Sequence, residues 1–105
     1  MWRLRKKPKY ANEKTRGFAS KKERERYDQL CLMQKAGLIS KLRTQIPYKL
    51  SVNGSLICKY IADFVYYDED LCEEVVEDAK GFRTRDYRIK SKLMNAVHGI
   101  KIREV

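Results

Sequence analysis

Asp78 and Lys80 are separated by one residue in the run Glu73-Glu74-Val75-Val76-Glu77-Asp78-Ala79-Lys80, which predicts an extended strand closed by Gly81. Alternation along a strand sets Val76, Asp78 and Lys80 on one face, with Val75, Glu77 and Ala79 on the other. An acid and a lysine therefore project side by side. Upstream, Tyr60-Ile61-Ala62-Asp63-Phe64-Val65-Tyr66 places a lone aspartate among large apolar residues. A carboxylate inside a buried strand is costly unless it is paired or bound to a metal. A hairpin about Asp68-Glu69-Asp70 would bring Asp63 near Asp78. Together they would offer oxygen ligands to Mg²⁺, a hard cation usually held by one or two carboxylates with water and substrate phosphate; Mn²⁺ is an acceptable substitute. Phosphodiester hydrolysis needs such a set, with Lys80 orienting a water or stabilising charge on the phosphorane. A surface ion pair is the competing account of Asp-x-Lys alone. Glu77 reads as a solvent-face residue, and Asp63 is the sharper signal.

The elements that must position these residues follow from local pattern. Ser20-Lys21-Lys22-Glu23 has the capping-box form, and Gly37 offers a stop, so a helix is expected between them. Tyr27, Leu30, Cys31 and Leu38 lie along its inward stripe, with Glu23 one turn ahead of Tyr27. A first strand is expected over about 42–50, with Pro47 marking an edge or a bulge. Asn53-Gly54 signals a tight hairpin. A second strand follows over about 55–67, then the acidic turn and the strand of Asp78. Thr84 is a plausible N-cap for a second helix to about Val97, and a last short strand is expected over 98–105. The order is αβββαβ, an α/β arrangement with a mixed sheet flanked by helices. His98 stands alone and suggests neither ligand nor base.

The chain carries 24 Lys and Arg against 14 Asp and Glu among 105 residues, a net charge of +10. Eight of those acids lie between Asp63 and Asp78, so the remainder of the chain stands at +18. A basic shell of this kind attracts phosphate backbones through counterion release. Residues 1–19 read as a basic arm bearing Arg3, Arg5, Lys6, Lys7, Lys9, Lys14 and Arg16, and residues 20–105 as one domain. No apolar run approaches the roughly 20 residues of a membrane span, and the N-terminus lacks the apolar core of a secretory signal. Cys31, Cys58 and Cys72 are odd in number and far apart, which suits reduced thiols in a cytoplasm. Arg85, Arg88 and Lys92 fall at helical spacing on the second helix, with Arg83 just before it, and suit phosphate contacts that position DNA. A merely solvated helix face accounts for them equally. Lys90 points weakly toward the acids. Trp2 and the Tyr66-Tyr67 pair could stack on bases, although strand tyrosines belong more often to a core.

Tyr60-Ile61-Ala62-Asp63-Phe64 followed by Val76-Glu77-Asp78-Ala79-Lys80-Gly81 resembles the signature of the PD-(D/E)XK nuclease superfamily, most closely its small phage-encoded, Holliday-junction-resolvase-like members. The likeness covers about Ser20 to Val105, with Ala62 where the eponymous proline would stand. It implies a restriction-endonuclease-like αβββαβ core and Mg²⁺-dependent DNA endonuclease activity, with Asp63, Asp78 and Lys80 catalytic and the two aspartates on the metal. By the same resemblance Glu23 joins as a catalytic acid and third metal ligand, although its capping-box position explains it as well. Gln45 matches a first-strand glutamine seen in similar proteins, where it would either hydrogen-bond within its strand or contact substrate DNA. So small a domain offers little surface for a duplex, which suggests a homodimer selective for branched or junction DNA in phage recombination or replication. No small-molecule cofactor and no membrane partner are expected. Two other readings remain: a non-catalytic DNA-binding protein on a nuclease scaffold, and a basic phage regulator that binds a host protein.

Overall fold

The computed structural model describes residues 20–79 and 83–105. The basic arm at 1–19, with Trp2, and Lys80 at the end of the Asp-x-Lys motif lie outside the described residues. Helix α1 spans Lys21–Lys35, β1 Ile39–Val52, β2 Ser55–Asp68, β3 Glu73–Asp78, α2 Arg85–His98 and β4 Arg103–Glu104. The chain is thus α+β with the order αβββαβ and one four-stranded mixed sheet in the order β1-β2-β3-β4.

Helix α1 starts where the capping box placed it. Ser20 is extended at φ −148°, and its hydroxyl accepts the Glu23 N–H. This satisfies one of the amides that a helix start leaves without an internal partner. The helix stops at Lys35, and the chain leaves through Gly37 at φ +83°. Leu38, expected on the inward stripe, falls beyond that stop and is exposed.

Strands β1 and β2 form a long antiparallel hairpin closed by Asn53 and Gly54, both at positive φ (50° and 82°). That is the backbone of a tight turn whose twist matches the strands. β1 runs longer than the sequence suggested and passes straight through Pro47, which pairs with Ile61. It can do so because β1 is an edge strand, where a missing N–H costs no ladder bond on the open side. The Asp68 side chain then accepts the N–H groups of Asp70 and Leu71, fixing the turn into β3. After β3 the chain crosses over through α2 and returns as β4, parallel to β3. β4 is only Arg103–Glu104, shorter than expected; α2 takes His98, and Gly99 caps it in the left-handed region at φ +70°.

Neighbouring strand residues point to opposite faces, and the sheet carries a separate core on each. Val65 and Val76 join Leu50, Tyr60, Ala62, Tyr87, Met94 and Ile102 under α2. Tyr66 and Val75 join Leu30, Ile39, Phe64 and Ala79 under α1. Tyr66 is therefore core, not a stacking platform. Tyr60 and Ala62 pack on the α2 side, whereas Phe64 and Tyr66, at the same parity, pack on the α1 side. β2 thus changes faces at Asp63, which explains the unbroken buried run from Ala62 to Tyr66. Among the described residues no helix is long and apolar enough to cross a membrane, and none of the three cysteines is in a disulfide.

Candidate catalytic site at the strand seam

The seam in β2 gathers the residues that the sequence singled out. Phe64 pairs with Glu77 in the β2–β3 ladder, so Asp63 and Asp78 stand one step further on, across from one another. On the other side, Thr44 pairs with Phe64 and Ile46 with Ala62, so Gln45 stands across from Asp63. Glu23 of α1 completes the row, its Oε2 accepting from Gln45 Nε2 at 3.0 Å. A line of polar side chains therefore crosses α1, β1, β2 and β3, its three acids buried and Gln45 exposed on the edge strand.

All three acids are buried: Glu23 is 1% exposed, Asp63 2% and Asp78 0%. Burial of this degree requires partners for each oxygen. Asp63 Oδ2 accepts the Ala79 N–H at 2.9 Å, which ties the first acid to the backbone that follows the second. Asp78 Oδ2 accepts the Tyr60 hydroxyl at 2.8 Å. Burial, and then the bond to Asp78, push the Tyr60 phenol far above its ordinary range, so it is a permanent donor at neutral pH. Val105 N–H and Arg83 Nη2 both bond the Asp78 carbonyl, at 3.1 and 3.2 Å.

The Glu23 N–H completes the cap with Ser20, while its carboxylate accepts from Gln45. Gln45 holds a backbone of φ +54°, which a residue with a Cβ rarely adopts. Strained backbone of this kind gathers at functional sites, where the surroundings hold it in place. Among the described residues no three His, Cys, Asp or Glu side chains converge closely enough to hold a metal. The row supplies Asp63 and Asp78 as a pair of hard oxygen donors, with Glu23 one residue beyond through Gln45.

Glu77 is corrected by the structure. It is not on a solvent face but 0% exposed beneath α1. Arg26 grips it with two parallel bonds, Nε to Oε1 at 2.9 Å and Nη2 to Oε2 at 2.6 Å. The Tyr66 hydroxyl also donates to Glu77, and Arg103 Nη1 lies 4.0 Å from Oε2. The Glu77 bond and charge raise the Arg26 pKa despite its partial burial. Sequence reasoning missed this network. Its signal was the arginine three residues after Glu23, on nearly the same helical face.

The basic residues divide. Arg83 is half-buried: its guanidinium lies 5.3 Å over the Tyr87 ring and 3.5 Å from Glu104 Oε2. That makes it a brace between β4, α2 and Asp78. Arg85, Arg88 and Lys92 are exposed on α2. Lys90 lines a cleft with Lys59, Tyr60, Ile61, Asp78, Thr84, Asp86 and Tyr87, which opens Asp78 toward the α2 side. His98 Nε2 bonds the Lys49 carbonyl at 2.7 Å and serves the hairpin.

The family model described as Protein of unknown function (DUF1064) matches residues 5–103, and the chain belongs to that family. No curated protein and no solved structure matches the chain.

Proposed function

We propose that this domain is a Mg²⁺-dependent endodeoxyribonuclease, selective for branched or junction DNA, working as a homodimer in the cytoplasm of a phage-infected cell. The carrying observation is the placement of Asp63 and Asp78 on adjacent strands at one register step, both buried and both held by hydrogen bonds. Burying two carboxylates at one register step is costly unless hydrogen bonds, a cation or a reaction offsets it. The resemblance to the PD-(D/E)XK superfamily supports the same reading.

The donor set fits the ion. Asp63 and Asp78 would hold Mg²⁺, or Mn²⁺, with substrate phosphate and water completing its shell. Bound there, the ion supplies polarisation of the phosphate and a water of lowered pKa. The chain's own residues do the rest. Tyr60 and the Ala79 N–H fix the two carboxylates in orientation. Gln45 aims Glu23 toward the same seam. Lys80, by its spacing, brings positive charge to the developing phosphorane. Arg85, Arg88 and Lys92 offer phosphate contacts on the face of α2.

Incubating the protein with linear, flapped and four-way DNA, with and without Mg²⁺, tests the reading. Metal-dependent cleavage of branched substrate is expected, and it should vanish in Asp78→Asn while DNA binding persists. Cleavage unchanged in Asp78→Asn would remove the site assignment. Cleavage by neither protein, with binding by both, would favour a DNA-binding scaffold. Sedimentation showing a monomer both free and on branched DNA would remove the homodimer.

A further inference from the structure

From Gln29 to Ala62 the chain contains no acidic residue, while Lys35, Lys41, Arg43, Lys49 and Lys59 all fall in that run. The run includes all of β1 and the outer half of β2. There α2 covers one face of the hairpin through Leu50, Tyr60 and their neighbours. The opposite face presents Pro47, Lys49, Ile57, Lys59 and Ile61, all exposed, with Ile57 at 58% and Ile61 at 53%.

Two register facts make this face unusual. Lys49 pairs directly with Lys59, and Pro47 with Ile61. Like charges directly opposed on one sheet face repel, so the pair destabilises the free hairpin. Among the described residues neither lysine has a carboxylate partner. An anion lying between them would relieve the repulsion. This face meets the site around an edge, because Lys59 and Ile61 lie on the part of β2 that β3 does not pair and also line the α2-side cleft that reaches Asp78. A second copy of this chain would bring four ammonium groups together, which argues against self-association here.

We infer that this face of the hairpin is a DNA track. The Lys49–Lys59 pair holds phosphates of one strand, Ile57 and Ile61 lie against its sugars and bases, and the strand continues into the Asp78 cleft. The inference rests on the nuclease reading for the choice of DNA as substrate, but its test does not need cleavage.

The test is fluorescence anisotropy of labelled single-stranded and forked DNA with the full chain in EDTA, across a salt series. The double variant K49Q/K59Q should raise Kd at least tenfold at moderate salt. It should also shrink the slope of log Kd against log salt by roughly one to two, the loss of one or two phosphate contacts. K49E replaces repulsion by attraction across the strands, so its Tm should match or exceed the parent's while DNA binding weakens. That opposition of stability and affinity is the signature of a charge pair kept for a ligand. An unchanged affinity and salt slope in K49Q/K59Q would overturn the inference. So would I57S/I61S converting a dimer to a monomer with DNA affinity intact, since the face would then join two copies. Lysine-dependent binding by a protein that cuts no substrate would keep this inference and drop the nuclease reading; cleavage by a protein whose binding ignores the two lysines would do the reverse.

Discussion

Arg26 and Glu77, 51 residues apart in sequence, meet as a two-pronged ion pair that fastens the first turns of α1 to the middle of the sheet. The pair sits three residues from Glu23 on the helix and next to Asp78 on the strand. It therefore sets the distance between the helix that carries one acid and the strand that carries another. Its Glu77 end is fully buried and its Arg26 side chain is 21% exposed. Arg26→Met should destabilise the domain by about 3 kcal/mol, because it leaves a buried carboxylate short of its main partner. In thermal melts that is a fall in Tm on the order of 10 °C or more. The double variant Arg26→Met with Glu77→Gln should recover part of the loss, and a double-mutant cycle with no coupling would refute the pairing.

Gln45 gives an inverted ranking. A glycine in a strand ordinarily costs stability relative to alanine. At φ +54°, however, glycine relieves a strained backbone while alanine keeps the strain. Gln45→Gly should therefore be more stable than Gln45→Ala by about 1 kcal/mol. Both variants lose the donor to Glu23, and under the proposed nuclease function both should cut more slowly than the parent. Denaturant melts check the first expectation and single-turnover cleavage the second.

Alkaline stability should follow the buried tyrosines. Burial, reinforced by bonds to Asp78, Glu77 and Glu104 respectively, raises the pKa of Tyr60, Tyr66 and Tyr87, with Tyr66 pushed up to about 12. A folded pKa above the unfolded one adds stability that is complete below about pH 10, the ordinary tyrosine value. That stability declines as pH rises through 10 toward 12. Absorbance titration at alkaline pH should show these three phenols ionising only with unfolding. Ionisation of all tyrosines near pH 10 in folded protein would contradict the buried bonds.

Gly99 offers a purely conformational test. It caps α2 at φ +70°, and a Cβ added there would meet nothing within 4 Å. Gly99→Ala should cost about 1 kcal/mol from backbone strain alone. Gly99→Asn should cost less, since asparagine tolerates the left-handed region better. Equal melts for all three would mean that the cap does not hold the crossover.

Much of the fold was legible because local chemistry and global architecture agree in this chain. Ser20, Asn53-Gly54 and Thr84 each mark a boundary that the structure keeps. Strand alternation separated Asp78 from Glu77 correctly, since the two side chains face opposite cores. It misjudged Glu77, because alternation tells which residues share a face and not whether a helix covers it. The buried state of Glu77 depends on Arg26, a partner no local window contains. Pro47 itself signalled an edge or a bulge, and the strand order makes it an edge; what stayed hidden was the extra reach of β1 to Ile39 and Val52. The change of face at Asp63 was also invisible. The apolar run around it fits a buried strand with any twist, and only packing shows where one core gives way to the other.

The long hairpin has a mechanical consequence. β1 and β2 each run 14 residues, yet β3 pairs with β2 only from Phe64 to Asp68. The hairpin is a cantilever: its root is clamped between two cores, while its free arm rests on α2 alone. Opening free energies should fall along it from root to tip, so amide exchange would be slowest near Phe64 and fastest near Asn53. Asp63 stands at the clamp itself. A load on the arm, such as a strand drawn across it, would be felt as torque at the row of acids.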